Sequence, residues 1–99
     1  MTSLNGRQKR HLRGLAHHLD PLVQVGKEGV SEAVVRAASQ ALTDHELIKV
    51  RLPQVERDER AQMAESLERE TGAALAGTAG RMAILYRRHP DKPTIKLPR

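Results

Sequence analysis

The chain has 99 residues, no cysteine, a single aromatic residue and a formal net charge of +5. This length fits one domain with its own hydrophobic core, and the absence of cysteine excludes disulfide bonds and thiolate metal sites. No apolar run approaches the ~18 residues of a membrane-spanning helix, and the N-terminus lacks the apolar stretch of a signal peptide. We therefore expect a soluble, cytoplasmic protein whose positive charge favours a polyanionic partner.

Basic residues are concentrated at the two ends of the chain. Residues 1–20 contain four Lys/Arg and one acid, residues 80–99 contain six and one, whereas residues 44–70 contain eight acids and five bases. The two ends would form one positive face if they fold together. The only aromatic residue is Tyr86, which argues against the exposed rings on which several RNA-binding domains stack bases. The composition favours contacts with a nucleic-acid backbone.

The first predicted element is an amphipathic helix. Asn5 and Gln8 have the spacing of a capping box, and the helix runs to about residue 18 because the residue before Pro21 disfavours helical geometry. The predicted buried stripe consists of Leu12, Leu15, Ala16 and Leu19. The opposite face carries Arg10, Arg13 and His17, with Arg7 beside them. This basic face is either simply solvated or part of a binding surface.

The middle of the chain alternates strands and helices. A short β-branched strand is predicted over residues 22–25 and an amphipathic helix over residues 31–42. The apolar positions of that helix are Val34, Val35, Ala38, Ala41 and Leu42. Residues 46–52 form the clearest strand. Because its apolar residues alternate with Lys49 and Arg51, we expect one buried face and one exposed basic face.

The last third of the chain contains a helix and a hairpin. Residues 54–60 are predicted to be a charged loop, followed by a helix with an acidic outer face that ends at Gly72. Residues 75–78 form a weak strand that turns back into a strong strand at residues 82–86. The remaining residues, 87–99, are rich in proline and basic residues and are predicted to be extended.

The element order α-β-α-β-α-β-β predicts an α+β fold. Strands separated by helices favour parallel pairs, whereas the final hairpin is antiparallel, so the sheet is expected to be mixed and four-stranded. With the helices packed against it, the sheet would form a two-layer sandwich. The order of the strands within the sheet stays open at this stage.

Residues 26–29 (Gly-Lys-Glu-Gly) lie where the first strand passes into the helix that begins with Ser31 as N-cap. Glycine allows a ligand to approach the backbone closely, and a helix N-terminus presents free N–H groups that favour phosphate. The turn is therefore a candidate for contact with a nucleic-acid backbone through its glycines and Lys27. The alternative is an ordinary strand-to-helix turn, in which Glu28 and Glu32 satisfy the helix end.

Several stretches of the chain carry a resemblance to a known family. They are residues 8–17 (QKRHLRGLAH), 25–29 (VGKEG), 45–50 (HELIKV) and 80–87 (GRMAILYR), with the closing residues 97–99 (LPR). In combination they resemble the YhbY family, the bacterial stand-alone form of the CRM domain (chloroplast RNA splicing and ribosome maturation). The resemblance covers nearly the whole chain, and it is the combination of the motifs that is specific.

The resemblance implies an RNA-binding protein that associates with precursors of the large ribosomal subunit and assists ribosome assembly. It also implies a fold similar to the C-terminal domain of translation initiation factor three, and a G-x-x-G loop comparable to the backbone clamp of KH domains. We expect one CRM-type RNA-binding domain over residues 1–88 and an extended basic tail over residues 89–99. The residues expected to contact RNA are Arg7, Lys9, Arg10, Arg13, His17, Gly26, Lys27, Gly29, Lys49, Arg51, Arg81, Arg87 and Arg88.

The expected partner is RNA, as ribosomal RNA or particles that precede the large subunit, bound by a monomer without a cofactor, a metal, a membrane or a small-molecule substrate. An enzyme is not expected, because no carboxylates at metal-binding or nuclease spacing accompany the five histidines. Two alternatives remain open. One is a small basic DNA-binding protein, although the second helix lacks the polar outer face of a recognition helix. The other is a protein-binding module on the ribosome that uses the acidic third helix.

Overall fold

The computed structural model describes residues 3–99, so that Met1 and Thr2 of the predicted domain lie outside the described residues. Its elements in chain order are α1 (Gly6–Ala16), β1 (Val23–Gln24), α2 (Glu32–His45), β2 (Leu47–Arg51), α3 (Arg57–Thr71), β3 (Ala74–Ala79) and β4 (Met82–Tyr86). The predicted α+β class, element order and four-stranded mixed sheet are confirmed.

The elements begin and end close to the predicted positions, with two differences. The predicted capping box of Asn5 and Gln8 is present, but α1 ends at Ala16, earlier than expected. Helix α3 begins at Arg57, inside the stretch that was predicted to be a loop. Asp58 and Glu59 lie in its first turn, where negative charge is favoured by the helix dipole, and this explains why a charged segment can start a helix.

The strand order of the sheet is β1-β2-β4-β3, with β1 and β2 parallel and the other two pairs antiparallel. Strand β4 therefore lies between β2 and β3, its partner in the hairpin. Arg51 pairs with Met82, and Met82 pairs with Ala79 across the hairpin. The ends of β1 and β2 and the β3–β4 turn consequently lie at one edge of the molecule, which we call the loop end. The opposite end of the sheet is where β2 begins and β4 finishes.

Helices α2 and α3 cover one face of the sheet and form the predicted two-layer sandwich with it. Their inward residues pack on the apolar residues of β1, β2 and β4. The fully buried members of this cluster include Ala38, Leu42, Ile48, Val50, Leu67 and Leu85. The predicted stripe of α2 is only partly buried, because Val34, Val35 and Ala41 retain part of their exposure.

Helix α1 covers part of the opposite face, where Leu12 and Ala16 are fully buried against residues of β2, β3 and β4. The prediction that Leu15 and Leu19 are buried was wrong, because these side chains are 43% and 39% exposed. Helix α1 lies over a fraction of the sheet, and no further element covers its outer flank among the described residues. Together with Leu22, the two leucines line an open groove of about 540 Å³.

A buried carboxylate holds the segment that follows β4. Glu46 is 3% exposed, and its carboxylate accepts hydrogen bonds from the His89 N–H (2.8 Å), the Thr94 N–H (2.7 Å), the Thr94 hydroxyl (2.6 Å) and the Ile95 N–H (3.0 Å). Ile95 and Leu97 pack against the cluster beneath α1. No helix or strand forms after Tyr86, yet residues 89–97 are tied to the body of the protein by this carboxylate and these two side chains.

Burial of the Glu46 carboxyl by itself raises its pKa, but the hydrogen bonds from Thr94, His89 and Ile95 to the ionised form outweigh burial and lower the pKa to about 2 from 4.5. Because the folded pKa lies below the unfolded value, the stabilisation is complete above about pH 4.5 and is lost as the pH falls towards about 2. A displacement of this size corresponds to at most roughly 3 kcal/mol of stability at neutral pH.

We expect Glu46→Gln to lower the free energy of unfolding at neutral pH, because the amide cannot accept all the donors that the carboxylate does. Urea unfolding of both proteins at several values between about pH 7 and about pH 2 measures this difference. The difference between them should shrink below about pH 4.5, where Glu46 becomes protonated in the unfolded protein first. A difference that stays constant down to about pH 2 would contradict the role of the ionised carboxylate.

Candidate functional site

The glycine turn joins the end of β1 to the start of α2. The Val25 N–H donates to the Arg51 carbonyl (2.8 Å), and the Gly29 N–H donates to the Gly26 carbonyl (3.0 Å), which closes the turn. Ser31 caps α2 as predicted, with its hydroxyl accepting from the Val34 N–H. The turn is therefore held between a strand and a helix that are both anchored in the core.

The two glycines of the turn lie in different surroundings. Gly29 has a φ of +95°, a conformation that side-chain-bearing residues rarely adopt. Gly26 has no such restriction, but a Cβ at this position would lie 2.5 Å from Oε1 of Glu28. The Glu28 carboxylate thus folds back over Gly26. It lies against the part of the backbone that a bound phosphate would approach.

Three predicted site residues from separate segments meet at the loop end. Lys27 lies in the turn, Arg51 ends β2 beside it, and Arg81 lies in the β3–β4 turn, where its carbonyl accepts from the Leu52 N–H (2.6 Å). Their convergence follows from the parallel pairing of β1 with β2 and the antiparallel pairing of β2 with β4.

Two further arginines at the loop end were missed by the sequence analysis. Arg57 and Arg60, in the first turns of α3, line a cavity that also contains Leu52 and Gly80. The order of the elements could have revealed them. A helix that follows β2 after a short loop must begin near the end where β2 finishes. Two acids share that turn, so α3 adds little net charge there.

The basic residues of α1 divide into exposed and engaged side chains. Arg7, Arg10 and His17 are exposed on the outer face of the helix, as predicted. Arg13 is exposed as well, and it leans over β3, where its Nη1 donates to the Ala76 carbonyl (3.0 Å). Its aliphatic stem lies above Gly77, where an added Cβ would come within 2.8 Å of Arg13 Cδ. Lys9 is partly buried beside the edge strand β3 and α3.

Lys49 lies between α1 and the loop end. Its Nζ donates to the His17 carbonyl (3.4 Å), at the C-terminal end of α1 where a positive charge is favoured by the helix dipole. Alternation along β2 puts Lys49 and Arg51 on the face that α1 covers. A band of basic side chains therefore follows this face from α1 to the loop end. We call it the basic band, and it consists of Arg7, Arg10, His17, Lys49, Arg51, Lys27 and Arg81.

Arg87 and Arg88 lie at the opposite end of the sheet, away from the glycine turn. The Arg87 guanidinium donates to the Ser39 hydroxyl (3.0 Å) and carbonyl (2.7 Å), the Thr43 hydroxyl (2.9 Å) and the Thr71 carbonyl (2.8 Å). These contacts connect the last turns of α2 and α3 to the end of β4. Arg87 is thus committed to internal partners, whereas Arg88 is exposed.

The only Phe, Tyr or Trp residue of the protein, Tyr86, is inaccessible to solvent. Tyr86 is 1% exposed in the cluster beneath α1. Burial raises the pKa of its hydroxyl, the negative charge of Glu46 raises it further, and Arg88 partly offsets both. The protein therefore offers no exposed Phe, Tyr or Trp ring on which a base could stack, although His11, His17 and His18 are exposed.

Within residues 3–99, no cluster of three or more histidine and acidic side chains has an arrangement able to hold a metal ion. In the same residues, no helix combines the length and apolar character that crossing a membrane requires. The basic band and the leucine-lined groove are the surface features that remain to be assigned.

Residues 4–87 match the sequence model of the CRS1/YhbY (CRM) domain. The chain belongs to this family. The match confirms the family that the residue motifs suggested, and it ends at Arg87, so that the segment anchored by Glu46 lies beyond it. Both the glycine turn and the whole basic band lie within the matched CRM domain.

Three bacterial proteins illustrate how closely the CRM protein resembles its relatives. It is 41% identical to an RNA-binding protein from Haemophilus influenzae over 99 residues, which is 100% of this chain and 99% of the relative. It is 39% identical to the probable RNA-binding protein YqeI of Bacillus subtilis over 95 residues, which is 96% of this chain and 99% of the relative. The solution structure of the hypothetical protein SAV1595 from Staphylococcus aureus has a TM-score of 0.87 and 38% identity, covering 97% of this chain and 100% of that chain.

The contacts of Arg87 predict that two neighbouring arginines of this CRM protein differ in their effect on stability. We expect Arg87→Ala to lower the free energy of unfolding by about 2 kcal/mol or more, because several acceptors at helix ends lose a charged donor. Arg88→Ala serves as the matched control and should change it by less than about 0.5 kcal/mol. Urea unfolding of the two variants measures both values. Equal losses of stability would refute the proposal that the hydrogen bonds of Arg87 stabilise the fold.

Proposed function

We propose that this CRM protein binds RNA through its phosphate backbone, and that the RNA is ribosomal RNA in precursors of the large subunit, whose assembly the protein assists. The observation that carries the proposal is the basic band, which joins the outer face of α1 to the glycine turn. The names of the bacterial relatives support RNA as the ligand. The ribosomal assignment rests on what the family resemblance implies.

The glycine turn would supply the closest contact with the backbone. Free N–H groups at the start of α2 and the small residues of the turn allow a phosphate to approach, and Lys27 adds a positive charge. Glu28 opposes that contact, since its carboxylate lies over Gly26. Binding at the turn would therefore displace the Glu28 side chain, which is exposed and free to rotate away.

The rest of the basic band would hold the strand in register with the turn. Lys49 and Arg51 lie two residues apart on β2, so that about 7 Å separates their Cα atoms. Since Tyr86 is buried, recognition would depend chiefly on the shape and charge of the RNA backbone. We propose a monomer in the cytoplasm that acts by binding alone, without a cofactor or a chemical step.

Comparison of ligands at several salt concentrations tests this function. We expect the protein to bind a fragment of large-subunit ribosomal RNA more tightly than duplex DNA of equal length or a ribosomal protein extract. Between about 50 and about 200 mM salt, the log–log slope of the affinity should be about −0.7 for each phosphate neutralised on a single strand. Affinity that does not change with salt, or a preference for the duplex DNA or the proteins, would refute the proposal.

We expect substitutions of the adjacent residues Lys27 and Glu28 to have opposite effects on the affinity for RNA. Lys27→Ala should weaken RNA binding and reduce the steepness of the salt slope by about 0.7, since one phosphate contact is lost. Glu28→Gln should strengthen binding, because it removes the negative charge from the surface of Gly26 while keeping the size of the side chain. Filter-binding titrations measure both, with melting temperature as the control for folding. If the turn only connects β1 to α2, neither substitution will change the affinity.

A further inference from the structure

The segment beyond the matched CRM domain has an alternating pattern of contacts. Ile95 and Leu97 are half-buried against the cluster beneath α1, whereas Lys96 between them is exposed. This alternation is the pattern of an extended chain with one face on the protein, so that the Lys96 side chain is directed into solvent. We call residues 94–99 the C-terminal strap.

The strap runs alongside α1 in the opposite direction. Ile95 lines the groove that contains Leu15, and further along the strap the Pro98 carbonyl accepts a hydrogen bond from Gln8 Nε2 (3.0 Å). The helix rises about 10 Å from Gln8 to Leu15, and an extended chain covers about 10 Å from residue 95 to residue 98. The two spans agree, so Lys96 lies beside the middle of α1, and Arg99, which follows Pro98, lies beside the N-terminal half that carries Arg7 and Arg10.

We propose that the C-terminal strap is a second RNA-contacting segment, which Glu46 and the two apolar side chains hold beside α1 so that Lys96 and Arg99 extend the basic band. This inference rests on the proposed function, since it takes RNA as the ligand of that band. Glu46 acts as a positioning residue in it, because its carboxylate touches only the strap and the residues that lead to it.

Anchoring matters because an unattached segment loses conformational freedom when it binds. Ordering a flexible backbone opposes binding at every residue that becomes fixed, whereas the strap is already ordered in the free protein. The apolar anchors also fix which side of the strap faces outward. Lys96 and Arg99 would thus add positive charge along α1 without the entropy loss of a free tail.

Charge reversal at matched positions tests whether the strap contacts RNA. Lys96→Glu should weaken binding of the full-length protein to the large-subunit RNA fragment by about 10-fold. Arg36→Glu is the control, because Arg36 is an exposed residue of α2 on the other face of the sheet and the substitution changes the net charge equally. It should weaken binding by less than about twofold through the long-range field alone. Equal effects of the two substitutions would overturn the proposal.

Release of the strap tests the positioning role of Glu46. Glu46→Gln removes a negative charge, which by itself would strengthen binding to RNA, so a weaker affinity under conditions where the variant is fully folded reflects loss of the anchored strap. We expect a loss of several-fold, together with faster amide hydrogen exchange at Thr94 and Ile95. Ile95→Asn releases the strap without changing Glu46 or the net charge and should have the same effect. The role of Glu46 would be refuted if hydrogen exchange of the strap amides becomes faster in both variants while their affinity for RNA stays unchanged.

The wild-type protein distinguishes failure of this inference from failure of the proposed function. If the wild-type protein does not bind the RNA fragment, the proposed function and the strap inference both fall. If the wild-type protein binds and Lys27→Ala weakens it, while Lys96→Glu behaves like Arg36→Glu, only the strap inference fails.

Discussion

The structure depends on Glu46 at the junction of three parts of the chain. Its N–H donates to the Leu42 carbonyl and ends α2, its φ of +64° turns the chain into β2, and its carbonyl accepts from the Arg87 N–H. This backbone conformation is unfavourable for a residue with a Cβ, and glycine would adopt it more easily. The side chain explains the choice of residue, because its carboxylate satisfies the backbone N–H groups of the segment after β4.

Positive charge in this CRM protein has two different uses. Arg87 connects α2 and α3 to the end of β4, and Arg13 holds α1 on β3. These side chains donate to carbonyl and hydroxyl groups of the protein itself. The exposed bases are fewer than the composition suggests. The basic band follows one face and one end of the sheet, which is the arrangement that attracts an extended polyanion, whereas Arg36, Arg69 and Arg88 are exposed elsewhere.

The helices and the strap that pack on the sheet determine which of its surfaces a ligand can reach. Helices α2 and α3 bury one face, and α1 with the strap buries part of the other, including Tyr86. With Tyr86 buried, the protein presents charge and backbone N–H groups at the loop end. The incomplete cover by α1 also leaves Leu15, Leu19 and Leu22 exposed in a groove beside the strap.

The amino-acid sequence alone determined the elements of this protein. The capping box, the Ser31 cap, the alternation along β2 and the glycine turn are local patterns, because each depends on residues a few positions apart. The sequence also determined the family, and with it most members of the basic band. It did not determine which apolar residues of α1 are buried. Periodicity identifies an apolar stripe on a helix, but it does not show how much of that stripe packs against the rest of the protein.

Only the tertiary structure decided the strand order, the separation of exposed from engaged arginines and the position of the segment after β4. The order places β4 between β2 and β3, and this long-range pairing brings Lys27, Arg51 and Arg81 together while leaving Arg87 at the far end. The Glu46 carboxylate and the N–H groups that donate to it are separated by more than 40 residues. Contacts at such separation depend on how the elements pack, and no local pattern in the sequence encodes them.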